Sequence, residues 1–204
     1  MLLSIEGIDG AGKNTLVHRL QEEIEAEVSV LAFPRYEESI HAQLAREALY
    51  GHMGDMVDSA YAMATLFALD RYGAKEKLLQ AAESSGLLIL DRYVASNAAY
   101  SMARLGDDGV ADWVYDLEYG RLGLPKPDLQ IFLDTDVELA ASRARGREAA
   151  DDTRERDQYE KDSNLQSRTA AAYRRLAQAD WAGQWIATAE VDMIVRALKD
   201  RLGV

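Results

Sequence analysis

The stretch Gly7–Thr15 reads "GIDGAGKNT". It matches the phosphate-binding loop pattern G-x-x-x-x-G-K-[ST] at Gly7, Gly12 and Lys13. It departs from the pattern at the last position, where Asn14 replaces the hydroxyl that normally reaches the nucleotide's Mg²⁺. Such glycines let backbone N–H groups turn toward a phosphate, and the following helix N-terminus adds positive potential. Lys13 supplies a point charge for the β- and γ-phosphates. The motif demands a strand before it and a helix after it. "LLSI" (2–5) is a short apolar run that ends at the loop, and over 13–26 Leu16, Val17, Leu20 and Ile24 recur at helical spacing.

The same alternation continues outward. "VSVLAF" (28–33), "LLILD" (87–91), "LQIFLD" (129–134) and the weaker "WIAT" (185–188) are further apolar runs. Helical stretches are expected near 37–50, 57–84, 94–105, 109–122, 136–147, 157–179 and 191–202. Continuous apolar runs separated by helices are what a parallel sheet covered on both faces requires. The pattern implies an α/β fold, a three-layer sandwich, as one domain over 1–204.

Composition narrows the function. A chain of 204 residues, 48% hydrophobic and 28% charged, is long enough for a sizeable core and shows no repeat or low-complexity segment. A net charge of -12 argues against binding long nucleic acid, which needs a basic surface, but leaves room for a small phosphorylated ligand held by a local basic cluster. With no Cys there are no disulfides and no thiolate chemistry. No window has the length of a membrane span, and "MLLSIEGIDG" lacks the basic and apolar regions of a signal peptide, so a cytoplasmic protein is expected.

Two further stretches carry chemistry. Asp91 and Arg92 close "LLILDRY", and an acid at the carboxyl end of a buried strand lies where open α/β sheets bind ligands. Asp91 suits the waters of Mg²⁺, and the Arg92 guanidinium suits a phosphate. "RARGREAADDTRER" (143–156) holds five arginines, Arg143, Arg145, Arg147, Arg154 and Arg156, among four acids, and reads as a mobile lid at about 143–157. A well-placed arginine speeds phosphoryl transfer by about 10³–10⁵. "DQYE" (157–160) fits a helix-capping box of Asp157 and Glu160, with Tyr159 between them free to face a ligand.

Taken together, "GIDGAGK", "FPRY" (33–36), "FALDR" (67–71), "DRYVASNAAY" (91–100), the Arg-rich stretch and "DQYE" resemble the thymidylate kinases, most closely the actinobacterial type. The resemblance covers nearly the whole chain and is weakest after about residue 180. It implies transfer of the γ-phosphoryl of ATP to dTMP with Mg²⁺, on a five-stranded parallel sheet of the nucleoside monophosphate kinase fold, in a homodimer. By the same resemblance, Gly7, Asp9, Gly10, Ala11, Gly12, Lys13, Asn14 and Thr15 bind ATP, joined by Arg143 and Arg147. Phe67 stacks on the thymine, with Phe33 beside it. Arg71 bonds the base O4, Asn97 the edge near N3, and Tyr100 closes against the sugar's 2′ position. Arg35, Tyr36 and Arg92 hold the dTMP phosphate, with Ser96 and Tyr159 nearby. Asp9, Lys13, Arg92 and Arg147 are the catalytic set, and Asp9 and Asp91 hold the metal. Some relatives carry a catalytic arginine in the loop where this chain has Gly10, so here that charge comes from the lid. Asn14 is then a bystander or a group that touches the metal only through its waters, because Mg²⁺ needs only one or two carboxylates plus phosphates and water. Two rival readings stay open: another nucleoside or nucleoside monophosphate kinase, and a regulatory protein that binds nucleotide without turnover.

Overall fold

The five apolar runs become five parallel strands: β1 (Leu2–Glu6), β2 (Val28–Ala32), β3 (Leu87–Asp91), β4 (Leu129–Phe132) and β5 (Trp185–Ala187), in the order β2-β3-β1-β4-β5. The structure is a computed structural model that describes residues 1–150 and 157–203, the side chains of 147–150 excepted. Register sets Leu3 beside Ile89 and Leu129, and Ile5 beside Asp91 and Ile131. Side chains alternate across a strand, so a strand buried on both faces needs apolar residues at consecutive positions. In β3, Leu88 and Leu90 enter one core with Leu2, Tyr93 and Tyr173, while Leu87 and Ile89 enter the other with Leu3, Leu16 and Leu198. Helices α5 (Val94–Leu105) and α9 (Ser163–Gln178) cover the first face, and α1 (Lys13–Glu23) and α10 (Val191–Leu202) the second. The helix after β1 and the helix after β3 therefore leave toward opposite faces, which opens a crevice at the carboxyl edge of the sheet. No helix among the described residues is long and apolar enough to cross a membrane.

Several helical stretches are shorter pieces than their periodicity suggests. The 57–84 stretch holds the end of a 3₁₀ turn (Gly54–Asp58), then α3 (Ala60–Tyr72) and α4 (Lys75–Glu83), with a break at Gly73. A Cβ at Gly73 would lie 2.8 Å from Arg35 Nη2, so the break makes room for a side chain from β2's end. Helix α2 (Ile40–Leu49) begins only after Ser39, whose Oγ accepts from the Ala42 N–H. The 109–122 stretch is α6 (Val110–Tyr115) running into a π-helical turn (Asp116–Arg121). The 157–179 stretch divides at Asp162, whose side chain caps α9 and separates it from α8 (Gln158–Lys161). Helix α7 (Val137–Ala150) runs past residue 147, so Arg143 and Arg145, at the start of the stretch expected as a lid at about 143–157, stand on a helix. Residues 151–156, with Arg154 and Arg156, lie outside the described residues.

Candidate active site

The loop between β1 and α1 needs backbone that side chains oppose: φ is 86° at Gly10 and 101° at Gly12, which caps α1. At Gly10 the space is closed as well, since a Cβ would lie 2.0 Å from the Ala140 carbonyl oxygen on α7. Helix α7 thus rests directly on the loop, and an arginine at position 10 has nowhere to go. Instead α7 supplies Arg143, whose Nη1 comes within 3.8 Å of a Cβ built on Gly12. Lys13 Nζ donates to the Gly7 and Ile8 carbonyls at 3.2 and 3.1 Å. Burial and the neighbouring Arg92 push its ammonium down to about 8, against the pull of Asp9 and Asp91. Asn14 and Thr15 are exposed.

At the end of β3, Arg92 has a φ of 65°, a strained value for a non-glycine residue. Its Nη1 donates to the Gly7 carbonyl at 2.9 Å and its Nη2 to Asp9 Oδ1 at 2.5 Å. The Tyr100 hydroxyl donates to Asp9 Oδ2 at 2.9 Å, and Gln166 Nε2 reaches the same oxygen at 3.4 Å. Burial alone would raise the Asp9 carboxyl, but Arg92, Lys13 and Tyr100 outweigh it and hold it far below the usual carboxylate range. Beneath them Glu6 is fully buried, and burial pushes its carboxyl up although it accepts from the Tyr93 N–H at 2.9 Å and Ser96 Oγ at 2.6 Å. Asp91 Oδ1 is buried without a partner among the described residues.

A cavity of about 460 Å³ opens beside this cluster. Phe33, Tyr36, Phe67, Tyr100 and Tyr159 line it, with Arg71 and Asn97 joined through Glu118 as one polar end and Asp9, Arg92 and Ser96 grouped as another. The Tyr100 and Tyr159 rings stack with centroids 5.9 Å apart and 15° between planes, and Arg104 Nη1 donates to the Tyr159 hydroxyl at 2.5 Å. At the first polar end, Arg71 donates from Nε and Nη2 to Glu118 at 2.5 and 2.7 Å. Asn97 Nδ2 donates to the Ala64 carbonyl at 3.0 Å and to Glu118 at 2.7 Å. An aromatic slot with hydrogen-bonding groups at one side and a guanidinium at the other suits a planar base carrying a phosphate.

A family model described as thymidylate kinase matches residues 5–197. A thymidylate kinase of Mycobacterium tuberculosis (strain ATCC 25618 / H37Rv) is 52% identical over 199 residues, spanning 94% of this chain and 93% of that protein. The chain belongs to the thymidylate kinase family. A probable thymidylate kinase of Thermococcus onnurineus (strain NA1) is 32% identical over 185 residues, spanning 87% of this chain and 84% of that protein. The fold agrees: a solved thymidylate kinase structure from Candida albicans superposes with a TM-score of 0.73 at 23% identity, covering 99% of this chain and 90% of that one.

For a thymidylate kinase, the structure gathers most of the substrate-binding residues expected from the sequence. Asp9, Phe33, Tyr36, Phe67, Arg71, Arg92, Ser96, Asn97, Tyr100 and Tyr159 all line the one cavity. Arg35 is different. Its Nε bonds Asp70 Oδ1 at 3.0 Å and its Nη2 the Asp70 carbonyl at 2.6 Å, so the charge is spent fastening β2's end to α3, outside the cavity lining. Arg46 and Tyr50 line the wall instead, and neither stood out in the sequence. Asp157 does cap α8, its Oδ1 accepting from the Tyr159 and Glu160 N–H groups at 2.8 and 2.9 Å. The backbone of Arg147 belongs to α7, and its side chain lies outside the described residues. Sequence reasoning also passed over Glu6, Asp70, Glu118 and Gln166. Asp70 lies within "FALDR" but gave no signal of its own, and each of the four bonds a partner at least 35 positions away that the local sequence does not reveal.

Proposed function

We propose that the residues of this chain divide a thymidylate kinase's work as follows. The reaction transfers the γ-phosphoryl of ATP to dTMP and yields dTDP and ADP. The loop from Gly7 to Thr15, with Lys13 and Arg143, holds the ATP phosphates, and Arg147 on the same helix joins them in a lid that closes over the transfer. The base of dTMP lies in the slot against Phe67, facing Arg71 and Asn97, with Phe33 and Ser96 near it. Tyr100 stands by the sugar. Arg92 and Tyr36 receive the acceptor phosphate, with Tyr159 stacked behind Tyr100. Asp91, with its unpartnered Oδ1, and the remaining lone pair of Asp9 fit Mg²⁺, which when bound neutralises and orients the ATP phosphates. Among the described residues no three His, Cys, Asp or Glu side chains form a cage, so such an ion would rely on phosphate oxygens and waters for its remaining ligands. An oxygen of the dTMP phosphate then attacks the γ-phosphorus as the bond to the β–γ bridging oxygen breaks, while Lys13 and the arginines stabilise the charge.

The observation that favours a phosphate acceptor over a nucleoside is the state of Asp9. A 5′-hydroxyl needs a general base, and this carboxylate is locked between Arg92 and Tyr100 and held well below the range of a useful base. A phosphate is already an anion and needs only placement. We further infer a cytoplasmic homodimer, for which Tyr61, 45% exposed on α3 and edge-on to Trp113, offers apolar surface. The test is ATP-dependent turnover of dTMP, dUMP, dCMP and thymidine, with and without Mg²⁺. Mg²⁺-dependent phosphorylation of dTMP, slower dUMP and inert thymidine is the expected result. ATP binding with no turnover of any acceptor would restore the regulatory reading, and preferred phosphorylation of thymidine would restore the nucleoside kinase.

A further inference from the structure

The polarity of the cavity's base-facing end is set by a residue that does not line it. Glu118 is fully buried in the π-helical turn after α6. One of its oxygens accepts from Arg71 Nε at 2.5 Å, and the other accepts from both Arg71 Nη2 and Asn97 Nδ2 at 2.7 Å. The second hydrogen of Asn97 Nδ2 goes to the Ala64 carbonyl at 3.0 Å. A carboxylate paired with arginine and a backbone carbonyl only accept hydrogen bonds. Turning the Asn97 amide over would set its oxygen against two other oxygens, so Oδ1 is committed to the cavity side. Neither that oxygen nor Arg71 Nη1 bonds any described residue, and both side chains line the cavity. The cavity therefore presents a donor beside an acceptor.

We propose that Glu118 is a positioning residue for base selection, holding Arg71 and Asn97 so that a pyrimidine with a 4-oxo group and an N3–H fits and cytosine is opposed. Cytosine carries the reverse pattern, a 4-amino donor beside an unprotonated N3. This inference rests on dTMP being the acceptor. It differs from plain core packing, because loss of the carboxylate should change which base is accepted and not only how stable the protein is.

The experiment is steady-state kinetics of the full chain carrying Glu118→Gln, with dTMP, dUMP and dCMP at saturating ATP. Glutamine keeps the volume but brings an N–H₂ where an acceptor was, which frees the Asn97 amide to turn. KM for dTMP should rise about ten- to a hundredfold, the scale of a lost charge-assisted hydrogen bond, with kcat within a few-fold. dUMP should fall in parallel with dTMP, and the dCMP-to-dTMP ratio of kcat/KM should rise at least about tenfold. Glu118→Asp keeps the charge on a shorter arm and should fall between. Equal losses for all three nucleotides, or an unchanged ratio, would overturn the proposal. Should Glu118→Gln fail to fold, Glu118→Asp decides alone: a raised ratio supports the proposal and the wild-type ratio overturns it. If the wild-type chain does not phosphorylate dTMP, the functional reading fails instead, and dTMP and dCMP affinities of the same variants then decide the role of Glu118.

Discussion

Lys13 differs from a surface lysine because its ammonium is already expensive to keep charged. Burial and Arg92 lower it to about 8 in the free protein, so a fraction is neutral at mildly alkaline pH. Nucleotide phosphates favour the charged form, so binding above that value must take up a proton. The sign follows: affinity for ATP is full below about pH 8 and falls as pH rises, by up to about tenfold per unit. Calorimetric titration at pH 7 and pH 9, in two buffers of different ionisation heat, reads both the affinity and the proton uptake. Equal affinity at the two values would sink this account. Asn14 makes the opposite case. Its side chain is exposed, and among the described residues no hydrogen bond ties it to the loop. Asn14→Ala should change kcat/KM by no more than about threefold, in line with the roughly 0.5 kcal/mol typical of surface positions. Lys13→Ala should cost at least about a hundredfold, the scale of one lost electrostatic group at the reacting phosphates. A severe loss in Asn14→Ala would make Asn14 a working ligand. At this scale the sequence was most readable where chemistry is local. Eight of the expected residues lie in one stretch, Gly7 with Asp9 to Thr15, whereas Glu118 acts across 47 positions on Arg71 and gave no local signal.

The same contrast governs the elements. The five strands were legible because a strand buried on both faces is apolar at every step, a pattern that tertiary context reinforces. Helix boundaries were less so, because side chains from elsewhere set them: Arg35 needs the space at Gly73, and Asp162 caps α9 within one periodic stretch. The contact of α7 with the loop is of this kind. Nothing in "GIDGAGK" says that Gly10 is flat against Ala140, which is fully buried. Because the obstacle is backbone and φ at Gly10 is 86°, no rotamer change relieves a methyl there. Gly10→Ala should force α7 and the loop apart, carrying Arg143 away from Gly12. The expected cost is about 1–3 kcal/mol of stability from overpacking, with weakened ATP binding as well. Urea unfolding and ATP titration measure the two effects. Wild-type stability in Gly10→Ala would mean that α7 does not rest on the loop.

For the molecule as a whole, the -12 net charge and the need to hold phosphates make opposite demands. Arg46, Arg71 and Arg92 line one cavity with Lys13 close to Arg92, but Asp9, Asp157 and Glu160 line it too, so the acidic excess lies elsewhere. The important pairs inside, Asp9 with Arg92 and Arg71 with Glu118, are largely removed from solvent and so are little affected by salt. Pairs such as Arg121 with Asp116 and Arg175 with Asp108 are exposed, and such pairs contribute about 0–1 kcal/mol each. Screening therefore removes more repulsion among the excess acids than attraction from the surface pairs. As salt goes from about 0.01 M to about 0.1 M, the screening length falls from about 30 Å to about 10 Å, shorter than the distances over which that excess repels itself. Thermal unfolding across this range should show Tm rising by about 2–4 °C, the shift expected for roughly 1 kcal/mol in a chain of this size. The buried pairs predict a second feature, that Glu118→Gln shifts Tm by the same amount at both salt concentrations. A Tm that falls with salt would mean that the surface ion pairs, rather than the core and its enclosed charges, dominate the electrostatics of the fold.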